Sequence, residues 1–206
     1  MNISEILLLI VLLITGLLLA IFLFPYLMDL LAEKSKGRGV SNGPWKTHLG
    51  VGRKETPAIE RSAIARIGLG ANSSDETIYW NAFTDSDGDQ LNSAYNYDII
   101  LTDDIKVDYE NFGFWSITVY GKDKYLVNNP FNKYMFRSCN SLVIDSKRKL
   151  CINLRADYTK NEKFMIPLPR EEENFSLALR CYRPLDSMKV KRGAEMMKLP
   201  VIIKIR

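Results

Sequence analysis

Histidine is almost absent: His48 is the only one in 206 residues. Nucleophilic hydrolysis usually needs an imidazole beside a hydroxyl or thiol. His48 falls in residues 33–54, a stretch rich in Gly, Ser, Lys and Arg that reads as a linker. The folded part is therefore expected to lack the usual base. Cysteine is scarce too. Cys139, Cys151 and Cys181 cannot all pair with one another, and their spacing matches no zinc pattern. Each lies in or beside apolar, strand-like sequence. They read as buried free thiols, with a disulfide or a reactive thiol as the alternative. An excess of one charge is also missing: 28 Lys and Arg face 24 Asp and Glu, a net charge of +4. The two signs are interspersed, so no basic face for nucleic acid is expected. There is no internal repeat and no low-complexity tract, and nothing implies a cofactor.

The first feature present is apolar. From residue 6 to 31 the only charge is Asp29. A hydrocarbon core about 30 Å thick needs roughly 20 apolar residues at 1.5 Å rise. Residues 6–24 nearly meet this, with Ile6, Leu13, Leu19 and Phe24 among the anchor residues, and Pro25-Tyr26 suits an interfacial end. A cleaved signal peptide would have a basic start and a shorter run. Here no Lys or Arg precedes the run, Glu5 is the only charged side chain before it, and no small-x-small site follows closely. No polar face exists to make it a surface helix. Residues 1–32 are thus expected to be an uncleaved transmembrane anchor whose partner is the lipid bilayer.

Orientation follows from the flanks. Lys34, Lys36 and Arg38 are membrane-proximal, followed by Lys46, Arg53 and Lys54. The positive-inside rule puts the C-terminal domain on the cytosolic side. Unpaired thiols agree with a reducing compartment. The basic cluster could meet anionic headgroups, at about 1 kcal/mol per charge, or only fix topology. Gly43-Pro44-Trp45 could dock Trp45 at the interface or onto the domain.

Residues 55–206 form the expected folded domain. Thr56 can cap a helix, Pro57 suits its first position, and Glu60 suits its positive end. Ile59, Ala63, Ile64 and Ile67 make one apolar stripe, the kind that usually faces a sheet. Gly68 and Gly70 end it. From Glu76 onward the pattern is β. Strands are expected at 77–84, 95–101, 114–120, 125–127, 134–137, 142–144, 150–155, 175–182 and 201–205. Many short strands separated by turn signals argue for a β-sandwich or jelly roll. Within 112–130, Trp115-Ser116-Ile117-Thr118-Val119-Tyr120 alternates, Gly121-Lys122-Asp123-Lys124 reads as a turn, and Tyr125-Leu126-Val127 as the returning strand. Asp85-Ser86-Asp87-Gly88-Asp89 invites a calcium reading. An EF-hand loop needs Gly sixth and a carboxylate twelfth. Counted from Asp85, Gly88 is fourth and Asn96 is twelfth, so a tight turn is the better reading.

These residues carry a family resemblance. Trp115-Ser116-Ile117-Thr118-Val119-Tyr120 followed by Leu126-Val127-Asn128-Asn129-Pro130 resembles the signature of the family known as domain of unknown function 1214. Arg61-Ser62-Ala63-Ile64-Ala65-Arg66-Ile67-Gly68 resembles the helix ahead of its sheet. Tyr79-Trp80 and Asp85-Ser86-Asp87-Gly88, with Leu91, Tyr95 and Tyr97, resemble its first hairpin. Phe175-Ser176-Leu177-Ala178-Leu179-Arg180-Cys181-Tyr182-Arg183-Pro184 resembles its closing strand. The resemblance covers about 43–206, and short members also place Gly-Pro-Trp after a membrane segment. One departure is Phe164-Met165-Ile166-Pro167, where the family often has Asn-Trp-Leu-Pro. A pocket lined by that Asn-Trp pair in relatives would be altered here. Longer relatives carry a further domain, numbered 1254, that this chain lacks. The resemblance implies a jelly-roll-like antiparallel β-sandwich with one packed helix, and implies no established activity.

Candidate chemistry is thin. Ser116, Thr118 and Tyr120 share a strand face with no histidine beside them. Glycoside hydrolysis needs two carboxylates across a cleft. Asp85, Asp87, Asp89, Asp98, Asp103 and Asp108 are candidates, yet several sit in turns. Trp80 and Trp115 could stack a sugar or fill the core. Asp85, Asp87, Trp80 and Trp115 are the candidate ligand or interaction surface, with no catalytic and no metal residue assigned. The expected function is a membrane-anchored, non-catalytic structural or interaction module with protein neighbours at the membrane. Its most concrete form is a minor capsid or membrane protein linking an internal viral membrane to a capsid shell. The alternative is a cell-envelope hydrolase or carbohydrate-binding protein, with a small molecule or glycan as ligand.

Overall fold

The computed structural model describes residues 2–36, 39–68, 70–101, 105–138, 151–158, 164–169 and 173–205. Arg38, Cys139, Asp103 and the strand expected at 142–144 lie outside the described residues. The chain divides into two compact units: residues 1–38 with 54–71, and residues 39–53 with 72–206.

The first unit holds helix α1 (Ile3–Lys36) and helix α2 (Ala58–Gly68). A reciprocal cap starts α1: the Glu5 N–H donates to Asn2 Oδ1, and the Asn2 N–H to Glu5 Oε2, each at 3.0 Å. Residues Ile3–Leu30 are long and apolar enough to cross a membrane, with an 18-residue window of mean hydropathy 3.3. Twenty-eight residues at 1.5 Å rise give about 42 Å, more than the hydrocarbon thickness. Pro25 does not end the helix, which continues to Lys36. α2 contacts α1. Its apolar stripe is only partly used: Ala63 is buried, whereas Ile59 is 68% exposed.

The second unit is mainly β. Its strands are β1 (Val40–Asn42), β2 (Trp45–Thr47), β3 (Thr77–Ala82), β4 (Asn96–Ile100), β5 (Phe114–Gly121), β6 (Met135–Arg137), β7 (Cys151–Arg155), β8 (Met165–Pro167), β9 (Phe175–Tyr182) and β10 (Val201–Ile205), with a short helix α3 (Lys191–Met196) before β10. Among the described residues they form two sheets, ordered β1-β2-β3-β9-β5-β6 and β10-β4-β7-β8. Every pairing is antiparallel except β7 with β8, which is parallel and departs from the expected all-antiparallel arrangement. The alternation read in the sequence sets the core. Ile78, Trp80, Trp115, Ile117, Leu177 and Leu179 of the larger sheet join Tyr97, Ile99, Ile152, Leu154 and Ile202 of the smaller in one buried cluster. The Tyr97 and Phe175 rings meet edge to face across it, centroids 5.5 Å apart.

Two expectations fail for local reasons. Residues 33–54 do not read through as a linker, because β1 and β2 are the outer strands of the larger sheet. Their register pairs Asn42 with Trp45, leaving Gly43-Pro44 as a two-residue loop. Gly43 takes φ +58°, the left-handed value such a hairpin needs at its first loop residue. Trp45 is fully buried and its Nε1–H donates to the Pro200 carbonyl at 2.7 Å. The returning strand at 125–127 is reduced to a single bridge, Tyr120 with Leu126. The turn itself forms, with the Gly121 N–H donating to the Tyr125 carbonyl at 2.9 Å. Beyond it, buried Asn129 diverts the chain. Its Oδ1 accepts from the N–H groups of Phe131 (3.2 Å) and Lys133 (3.1 Å), and its Nδ2 donates to the Val127 and Lys133 carbonyls. β6 then becomes the partner of β5.

Candidate functional site

The Asp-rich turn is built around one buried carboxylate. Asp85 Oδ1 accepts from the N–H of Asp87 at 3.0 Å and of Asp89 at 2.9 Å. The Asp85 N–H donates to the Asp89 carbonyl at 2.8 Å, and Gly88 turns the chain at φ +97°. Asp85 is thus an internal cap of the turn. Its Oδ2 is buried and without a hydrogen-bond partner. Asp87 points out of the fold, and Asp89 pairs with Lys204. Among the described residues no group of three His, Cys, Asp or Glu side chains could hold a metal.

The tryptophans lie elsewhere. Trp80 and Trp115 are 0% and 2% exposed, on the inner face of the larger sheet. Neither indole offers a face for sugar stacking, so Asp85, Asp87, Trp80 and Trp115 do not make one surface. The other described candidate aspartates, Asp98 and Asp108, also have structural partners. Asp98 pairs with Arg155 at 2.7 Å, and Asp108 Oδ2 accepts from Asn111 Nδ2 at 2.8 Å. His48 Nδ1 accepts the Gly50 N–H at 3.1 Å, inside the β-rich unit. Both described thiols are poor nucleophiles, since the thiolate is the reactive form. Burial pushes Cys181 up to about 12. Burial first, and then the charge of Asp98, push Cys151 up to about 11. Both are free cysteines.

The outer face of the larger sheet is a different environment. Ser116, Thr118 and Tyr120 do share it, as their alternation implies. Arg180 of β9 stands opposite Tyr79 of β3 on one side and Ser116 of β5 on the other. Two residues earlier, Ala178 stands between Asn81 and Thr118. The small Ala178 side chain leaves room for Arg180 to reach along the sheet. Its NH1 donates to Thr118 Oγ1 at 2.9 Å and its NH2 to the Tyr120 hydroxyl at 2.5 Å. The guanidinium carbon also lies 5.4 Å from the Tyr120 ring centroid. In the sequence Arg180 is one outward residue of an alternating strand. The available signal was a lone charge inside an otherwise apolar and small-residue strand.

A family model described as protein of unknown function (DUF1214) matches residues 76–186, just over half of the chain. This chain belongs to the DUF1214 family. The match runs from β3 through β9, so it contains Asp85, Arg180 and two of the three core tryptophans, Trp80 and Trp115. It leaves out α1, β1, β2 and β10. Among solved structures, the VPA0106 protein from Vibrio parahaemolyticus has a similar fold, with a TM-score of 0.59 and 20% identity over 74% of this chain. This DUF1214 chain spans only 36% of that protein's length. No curated protein matches this chain.

Of the membrane-related residues, Ile6, Leu13, Leu19 and Phe24 lie on α1 with 42–72% of their surface exposed. Lys34 and Lys36 lie in its last turns.

Proposed function

We propose that this DUF1214 protein is a single-span, membrane-anchored β-domain that acts as a non-catalytic structural or interaction module. The observation that carries this reading is α1, an apolar helix of spanning length whose side chains from Ile3 to Phe24 are largely exposed. Left in water, such a surface costs about 25 cal/mol per Å²; a bilayer removes that cost. The absence of catalysis is supported by what the reactive groups do. Asp85 and Asp108 cap turns, Asp89 and Asp98 pair with cations, the described thiols are held neutral, and the hydroxyl-bearing face has no imidazole beside it.

The basic residues after α1 favour a domain on the cytosolic side. The free Cys151 and Cys181 agree with a reducing compartment. In its most concrete form the module would link an internal viral membrane to a capsid shell. The hydrolase or sugar-binding alternative loses its stacking platform, because Trp80 and Trp115 are buried.

The test is extraction and protease protection on native membranes, with mass analysis of the N-terminus. The protein should resist alkaline carbonate, keep residues 1–32, and be digested from the cytosolic side. Release by carbonate or loss of the N-terminal segment would refute the anchor. Digestion only from the opposite side would overturn the orientation.

A further inference from the structure

We propose that the outer face of the six-stranded sheet carries a phosphate-binding site centred on Arg180, accepting the phosphoryl group of a phosphate ester. The inference is independent of the anchor, because every residue in it belongs to the β-rich unit.

The first argument is charge. The six strands contain three basic residues, Lys46, Arg137 and Arg180, and no Asp or Glu. The register puts all three on the outer face: Lys46 opposite Asn81, Arg180 opposite Tyr79 and Ser116, Arg137 opposite Ser116. Arg180 and Lys46 are two strands apart and offset by two residues in register, roughly 12 Å at the backbone. Glu173, just ahead of β9, is paired with Lys122 at 2.8 Å.

The second argument is hydrogen bonding. Arg180 is half-buried, and among the described residues its side chain meets neutral groups, the hydroxyls of Thr118 and Tyr120 and the Tyr120 ring. A partly desolvated guanidinium gains most from an anionic acceptor. Two of its five N–H groups are used, so three remain. Tyr120 accepts from Arg180 and therefore keeps its own O–H to donate. Thr118, buried beneath, fixes the guanidinium. The result is a cluster of fixed donors with no anionic acceptor among the described residues, which suits an anion with several oxygens. Because the rotamer is already fixed, a ligand meets little of the ordering cost that a free arginine would impose.

The test uses the full chain in nanodiscs of neutral lipid, with equilibrium dialysis of radiolabelled inorganic phosphate and of glycerol 3-phosphate at constant ionic strength. Folding is checked by the fluorescence of the buried tryptophans. Saturable binding at one site per chain is expected. Arg180→Gln should weaken it about tenfold or more. Tyr120→Phe, which keeps the guanidinium and the ring beneath it, should weaken it a few-fold. Lys191→Ala, an exposed cation on α3, should leave it unchanged. Adding anionic phospholipid to the disc separates the sources. Loss of phosphate binding there assigns the site to a lipid headgroup, and unchanged binding assigns it to a soluble ester; the site stands in both cases. The proposal is overturned by an absence of saturable binding in the parent protein. Full binding in folded Arg180→Gln, or an equal loss in Lys191→Ala, would overturn it too.

Discussion

Trp45 decides whether residues 39–53 belong to the fold. The indole is fully buried in the main core cluster, and its Nε1–H donates to the Pro200 carbonyl, 155 residues away, at 2.7 Å. Truncating a buried tryptophan to alanine costs about 3–5 kcal/mol through lost burial and the cavity left behind. Pro200 is itself buried, so its carbonyl would lose a donor that water does not easily replace, at about 1–3 kcal/mol. Trp45→Ala is therefore expected to cost roughly 4–8 kcal/mol, a large part of the 5–15 kcal/mol that holds a domain together. Trp45→Phe keeps most of the apolar volume but still strands the carbonyl, so it should cost only about 1–3 kcal/mol. The assay is urea unfolding of the full chain in nonionic detergent, followed by fluorescence. Trp80 and Trp115 remain in both variants and are buried, so their signal reports loss of the same core. If both variants unfold within about 0.5 kcal/mol of the parent, the range of ordinary surface changes, Trp45 sits on a solvated linker and the reasoning fails. If Trp45→Phe is as damaging as Trp45→Ala, the division between packing and hydrogen bond is wrong.

Asp85→Ala should destabilise the β-rich unit by about 2–3 kcal/mol, since two charge-assisted bonds to backbone N–H groups are lost and the exposed Asp87 and Asp89 recover part of that from water; Asp85→Asn, which keeps the accepting oxygen, should cost less, and the reverse order in urea midpoints would refute the capping role. Cys181, pushed from 9.0 up to about 12 by burial, should resist iodoacetamide at pH 8 until denaturant is added, with mass spectrometry as the readout. The raised value favours the neutral thiol in the folded state, so its contribution is complete below pH 9 and is lost as pH rises from 9 towards 12. The stability of Cys181→Ala should fall less steeply over that window. Alkylation of native Cys181 at the rate of a free thiol would contradict both expectations.

How legible each element was depended on its length. β9 and β10 have the same limits in sequence and structure, 175–182 and 201–205, because five to eight residues suffice to display a period of two. β1, β2 and β8 have three residues each, too few to show any period, and the first two sit among glycines and lysines that imitate a linker. The Gly43-Pro44 loop was the available sign of a hairpin there. β8 is placed by a parallel pairing with β7, which local sequence does not encode. At the Asp-rich turn the turn chemistry was readable, whereas the burial of Asp85 was not. It depends on β10 arriving from 116 residues later, where the Ile202 N–H donates to Ser86 Oγ at 2.9 Å. The Arg180 cluster was hidden for a related reason. Its partners are set by the β9–β5 register, which brings together residues about 60 positions apart.

These long-range contacts also separate the family's limits from those of the folding unit. The family match ends before β10 and begins after β2. Yet β2 covers the edge of β3, β10 covers the edge of β4, and the bond from Trp45 to Pro200 joins the two unmatched segments directly. Removing them would open two strand edges, each a template for unwanted pairing, and would take Trp45 and Ile202 out of one shared core. The matched region therefore specifies the central strands and the Arg180 face, while closure of both sheets is supplied by sequence on either side of it. That division has a functional consequence. The face built on β3, β9 and β5 lies wholly within the family match, and α1 lies wholly outside it. Thr118, Tyr120 and Arg180 are therefore specified within the matched segment, whereas the helix long and apolar enough to cross a membrane is specified outside it.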